Sequence, residues 1–96
     1  MRTIWKFTLE LANGIEHTLE IPGGGRFLSA RDREVGPLNL PSLDTWWEVD
    51  DEKPKQAVRL QMVGTGNEVP ENASYHLATF FPVEGYVLHL WRLSDE

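Results

Sequence analysis

His17, His76 and His89 are the side chains best suited to hold a metal ion or move a proton. His76 and His89 fall on two extended segments, 75–81 and 86–93, that read as a hairpin closing about residues 82–85. That register sets His76 opposite Trp91 and Ala78 opposite His89, so the two rings share a face only diagonally. A zinc-type site adds a third ligand and hydrogen-bonded partners behind the ligands. The sequence names neither, so no metal and no cofactor is expected. Glu10, Glu16 and Glu20 lie along one strand face, and Asp50, Asp51 and Glu52 lie in a turn. Glycoside hydrolysis needs two carboxylates facing across a cleft, one of them desolvated; these occupy convex or turn positions. Ser29, Ser42, Ser74 and Ser94 lack a nucleophile-elbow motif. Gly64-Thr65-Gly66 lacks the lysine and hydroxyl residue of a phosphate-binding loop, and no helix follows it. The expectation is a protein that is not an enzyme.

Trp46 offers a different chemistry, that of recognition. In the segment 45–49, alternation turns Trp47 and Val49 inward and leaves Trp46 pointing out beside Glu48. The acidic turn Asp50-Asp51-Glu52 follows directly. An exposed tryptophan ringed by polar groups is a typical interface anchor. The alternative is that the preceding loop, 32–43, folds over it. That loop carries Pro37 and Pro41 around Leu38-Asn39-Leu40, which opposes both helix and ladder. The candidate partner-binding surface is therefore Trp46, Glu48, Asp50, Asp51 and Glu52, with Leu38 and Leu40 of the loop.

The elements that position these groups are strands. Trp5, Phe7, Leu9 and Leu11 alternate with polar residues, and after Ala12-Asn13-Gly14 so do Ile15, His17, Leu19 and Ile21. Period-two alternation marks a strand with one buried face. A three-residue turn with Gly14 left-handed would pair Leu11 with Ile15, Leu9 with His17, Phe7 with Leu19 and Trp5 with Ile21. It would also set Lys6 opposite Glu20 and Thr8 opposite Thr18, at the cost of Glu10 opposite Glu16. Pro22-Gly23-Gly24-Gly25 ends the second strand, and 26–31 forms a third, with Phe27 and Ser29 on one face and Leu28 and Ala30 on the other. A fifth runs over 56–63, where Val58, Leu60 and Met62 alternate with Arg59 and Gln61. The closing hairpin carries apolar groups on both faces, Leu77 and Phe81 against Ala78 and Phe80. Seven short strands without a helical period predict an all-β fold: a single antiparallel sandwich or small barrel over residues 1–96, with an irregular loop at 32–43.

Composition narrows the function classes. Ninety-six residues with 41% hydrophobic content suffice for one core. No cysteine is present, which removes disulfides and thiolate chemistry together. A net charge of −6 argues against direct nucleic-acid binding, which needs clustered Lys and Arg. No apolar run spans a membrane and no secretory leader is visible, so the expected location is the cytoplasm.

Ile4-Trp5-Lys6-Phe7, Leu19-Glu20-Ile21-Pro22-Gly23, Leu28-Ser29, Trp47 with Val49-Asp50, Gly64-Thr65-Gly66 and Ala78-Thr79-Phe80 form a familiar pattern. It resembles a family of small proteins of unknown function from phages and prophages. Two departures stand out: 32–43 reads as an insertion, and Asn67 stands where the family tends to have histidine. The resemblance implies a phage-encoded β protein and transfers no catalytic residue. The expectation that follows is a protein-binding module, monomeric or homodimeric, that blocks a host protein such as a nucleic-acid-binding or CRISPR-type defence complex. A self-associating phage assembly component is the alternative, and a ligand-binding barrel using His17 in its interior a second one.

Overall fold

In the computed structural model, residues 1–11, 14–33, 42–82 and 85–94 are described. Seven strands follow one another: β1 (Arg2–Glu10), β2 (Glu16–Pro22), β3 (Arg26–Arg33), β4 (Ser42–Asp50), β5 (Lys55–Gly64), β6 (Ala73–Phe80) and β7 (Leu88–Leu93). They form two antiparallel sheets, β1-β4-β3 and β2-β5-β7-β6, which do not close into a barrel. The all-β expectation therefore resolves to a sandwich. No α-helix occurs among the described residues, and none is long and apolar enough to cross a membrane.

The first two strands form where the alternation put them, but not as a hairpin. Gly14 is left-handed as expected, at φ 95°, and its N–H donates to the Leu11 carbonyl at 3.0 Å. Beyond that turn β1 pairs with β4, and β2 pairs with β5 in the opposite sheet. Leu9 and Ile21 thereby enter one core from different sheets. Set in facing sheets, the two apolar faces cover each other. Lys6 faces Trp46 instead of Glu20, and Thr8 faces Asp44 instead of Thr18. Glu10 meets Ser42 and Glu16 meets Gln61, so the like-charge pair never forms.

Two β-bulges correct the expected faces. In β3 the register shifts between Phe27 and Ser29. Phe27 and Ala30 consequently both pack on the core, while Leu28 and Ser29 are exposed together. In β6 the register shifts between His76 and Ala78, so Leu77, Ala78 and Phe80 all turn inward. Phe81 alone stays outside, 63% exposed. One extra residue against a continuous partner shifts the alternation by one, which is how both strands present apolar neighbours to the same side.

The core is built on Trp47, Leu9, Ile21, Leu43, Leu60, Met62 and Leu90, all buried. Trp47 meets Phe27 edge-on, ring centroids 5.2 Å apart. Its indole N–H cannot reach water, and it donates to Thr45 Oγ1 at 2.9 Å. That hydroxyl passes its own hydrogen to the Phe7 carbonyl across the β1–β4 ladder, at 2.8 Å. A short relay thus satisfies the largest polar handle of the interior.

Candidate functional site

Every second residue of β4 looks away from the core, and β4 is the middle strand of its sheet. The outer face is therefore read in rows across three strands. Ile4, Glu48 and Arg26 form one row; Lys6, Trp46 and the Leu28–Ser29 bulge the next; Thr8, Asp44 and Arg31 the third. Trp46 sits at the centre and is half-buried, while Trp47 beside it is wholly buried. Ile4 is 59% exposed and Leu28 is 38% exposed, so three large apolar groups share one face. Around them the charges are mixed. Arg26 Nε reaches Glu48 Oε1 at 3.4 Å, and Thr8 Oγ1 donates to Asp44 Oδ1 at 2.6 Å.

The acidic turn lies at one end of this face, and its charge is turned onto the chain itself. The Met1 ammonium is 3.4 Å from Asp50 Oδ1, 3.0 Å from Asp51 Oδ1 and 3.5 Å from Glu52 Oε2. The Met1 amine is raised above its ordinary value, chiefly by its hydrogen bond to Asp51. Asp50 is held below the ordinary carboxylate value, chiefly because it accepts the Glu52 backbone N–H. Beside the turn a cleft of about 180 Å³ is lined by Arg2, Arg26 and Lys53 together with Glu48 and Asp50. That is smaller than the roughly 300–1,000 Å³ of a typical small-molecule pocket.

Of the expected surface, the structure brings Trp46, Glu48 and Asp50 onto one outer face and leaves Asp51 and Glu52 at its margin. Leu38 and Leu40 lie outside the described residues, as does the question of whether the loop covers Trp46. The face is not acidic as a whole: Lys6, Arg26 and Arg31 stand among Asp44 and Glu48. Ile4 and Leu28 were missed as its members. Their signal was present for Ile4, which occupies an outward position of β1, but Leu28 reaches this face only through the bulge. His17 is half-buried, and its Nε2 lies 3.0 Å from the Gly14 carbonyl to which it donates.

The opposite sheet holds a second group of polar side chains. The β6 bulge sets His76 and Thr79 side by side on the outside, facing His89 of β7. His76 stands opposite Trp91 as the register predicts, Thr79 rather than Ala78 stands opposite His89, and across this diagonal His76 Nε2 comes within 3.2 Å of His89 Nδ1.

Fold and surface together define a two-sheet antiparallel β-sandwich that displays an aromatic outer face. Over its whole length, residues 1–96, the chain matches the model of a domain of unknown function, DUF7352, and belongs to that family. The match says nothing of phage origin. No curated protein and no solved structure matches the chain significantly.

Proposed function

We propose that this protein is a non-enzymatic binding module that docks a protein partner on the outer face of the β1-β4-β3 sheet. The observation that carries the reading is Trp46, half-buried at the centre of that face between Lys6 and the Leu28–Ser29 bulge. A ring held on a rigid middle strand loses little entropy when a partner covers it. Ile4 and Leu28 extend the apolar area, and the charged residues around them supply register. Imitation of a phosphate backbone is the less favoured mechanism, because three cations stand on the face and the acidic turn surrounds the Met1 amine. The resemblance to phage and prophage proteins supplies the setting, a host protein whose own working surface is blocked sterically.

The test compares wild-type protein with Trp46→Ala, Ile4→Glu and, as a control on the far sheet, Tyr75→Ala. A partner retained by wild type and Tyr75→Ala but lost with Trp46→Ala and Ile4→Glu supports docking here. A partner that ignores both face substitutions sinks the reading. Sedimentation of the same proteins addresses self-association: a wild-type dimer that Trp46→Ala dissociates would make the partner a second copy of this chain.

A further inference from the structure

We propose that His76 and His89 form an open two-histidine site for a divalent transition-metal ion of the Zn²⁺, Ni²⁺ and Cu²⁺ type. His76 Nε2 and His89 Nδ1 are 3.2 Å apart. Metal–nitrogen bonds of about 2.0–2.1 Å in tetrahedral geometry place two ligand nitrogens roughly 3.3 Å apart, so the pair is already at ligand spacing. Thr79 Oγ1 lies 3.2 Å from the first nitrogen and 3.1 Å from the second, closing a triangle of three lone-pair donors.

The rings are also held from behind. Thr65 Oγ1 is 3.0 Å from His89 Nε2 and 3.5 Å from the Val87 carbonyl. With its hydrogen given to that carbonyl, the hydroxyl oxygen accepts from His89 Nε2–H, which leaves the Nδ1 lone pair aimed at His76. That oxygen stands where metal-binding histidines ordinarily have an acceptor, a carboxylate, backbone carbonyl or water, for their second N–H. His76 is braced by Trp91, whose ring meets it edge-on at 5.3 Å. Without an ion, His76 Nε2–H donates to His89 Nδ1. On binding, that proton moves to His76 Nδ1 through solvent, both imidazoles stay neutral, and the ion takes the vacated lone pair.

No group of three His, Cys, Asp or Glu side chains placed to hold a metal ion occurs among the described residues, so water fills the positions beyond the two rings and the Thr79 hydroxyl. The site is then exchangeable and follows the general affinity order, with Cu²⁺ above Ni²⁺ and Zn²⁺. It lies on the sheet opposite Trp46 and is independent of the docking face.

Titration with each ion, read by melting temperature and by amide NMR shifts, tests the assignment. Wild type should show one saturable site centred on residues 76, 79 and 89, and a raised melting temperature. His76→Ala and His89→Ala should each weaken binding by about tenfold or more, and Thr65→Val by roughly 10–100-fold, while His17→Ala changes nothing. His76 is exposed on an edge strand, so its variant keeps the test alive should His89→Ala disturb folding. Equal binding by wild type and a variant carrying both His76→Ala and His89→Ala, as copper held only by the Met1 amine would give, overturns the proposal. So does the absence of any shift at millimolar metal.

Discussion

The relay from Trp47 through Thr45 to the Phe7 carbonyl makes a demanding prediction about stability. Thr45→Val keeps the shape of a side chain that is 0% exposed but removes the hydroxyl that serves both bonds, at 2.9 and 2.8 Å. The indole N–H of Trp47, also 0% exposed, is then left without a partner and without water. An unsatisfied buried donor costs about 1–3 kcal/mol. For a domain of this length each kcal/mol lowers the melting point by about 4–8 °C, so a fall of roughly 4–24 °C is expected. Urea unfolding of wild type, Thr45→Val, Trp47→Phe and the double variant isolates the interaction, because phenylalanine has no N–H to strand. Once Trp47 is phenylalanine, Thr45→Val should cost much less, giving a coupling of about 0.5–3 kcal/mol. Additivity of the two substitutions within about 0.3–0.5 kcal/mol would refute the relay.

Gly25 has φ 64°, and a Cβ built there meets Ile21 Cγ2 at 2.7 Å, so Gly25→Ala combines backbone strain of about 1–2 kcal/mol with a clash in the core. A denaturation midpoint equal to wild type would show that the turn after β2 relaxes freely. The Met1 amine and Asp50 predict opposite pH limits for one small contribution to stability. Asp50 is lowered from 3.8, so its share is complete above that value and fades as pH falls through the folded-state value. The Met1 amine is raised from 8.0, so its share is complete below that and fades as pH rises through the folded-state value. Melting profiles of wild type and Asp50→Asn should diverge only above the acidic window, and N-terminal acetylation should flatten the alkaline side. Trp46→Ala should destabilise far less than Trp47→Ala, for which about 3–5 kcal/mol is expected, and matched thermal melts would show it.

Alternation alone established the extended segments, the inward turn of Trp47 and Val49, and the outward turn of Trp46, because side-chain direction in a strand is a local property of the backbone. It also pointed to Gly14 as the left-handed residue of its turn, since glycine has no Cβ to oppose that conformation. What period two cannot encode is the identity of the neighbour. Leu9 and Ile21 carry the same inward signal whether their strands lie side by side or face each other, and only packing of the complete chain chose the second. The bulges at Leu28 and Leu77 were equally invisible, because an extra residue is recognised only against the strand it fails to match. Both bulges reshape the surface: one adds Leu28 to the Trp46 face, the other closes His76 onto His89. Residue types thus decided which side chains had something to offer, and tertiary pairing decided which of them meet.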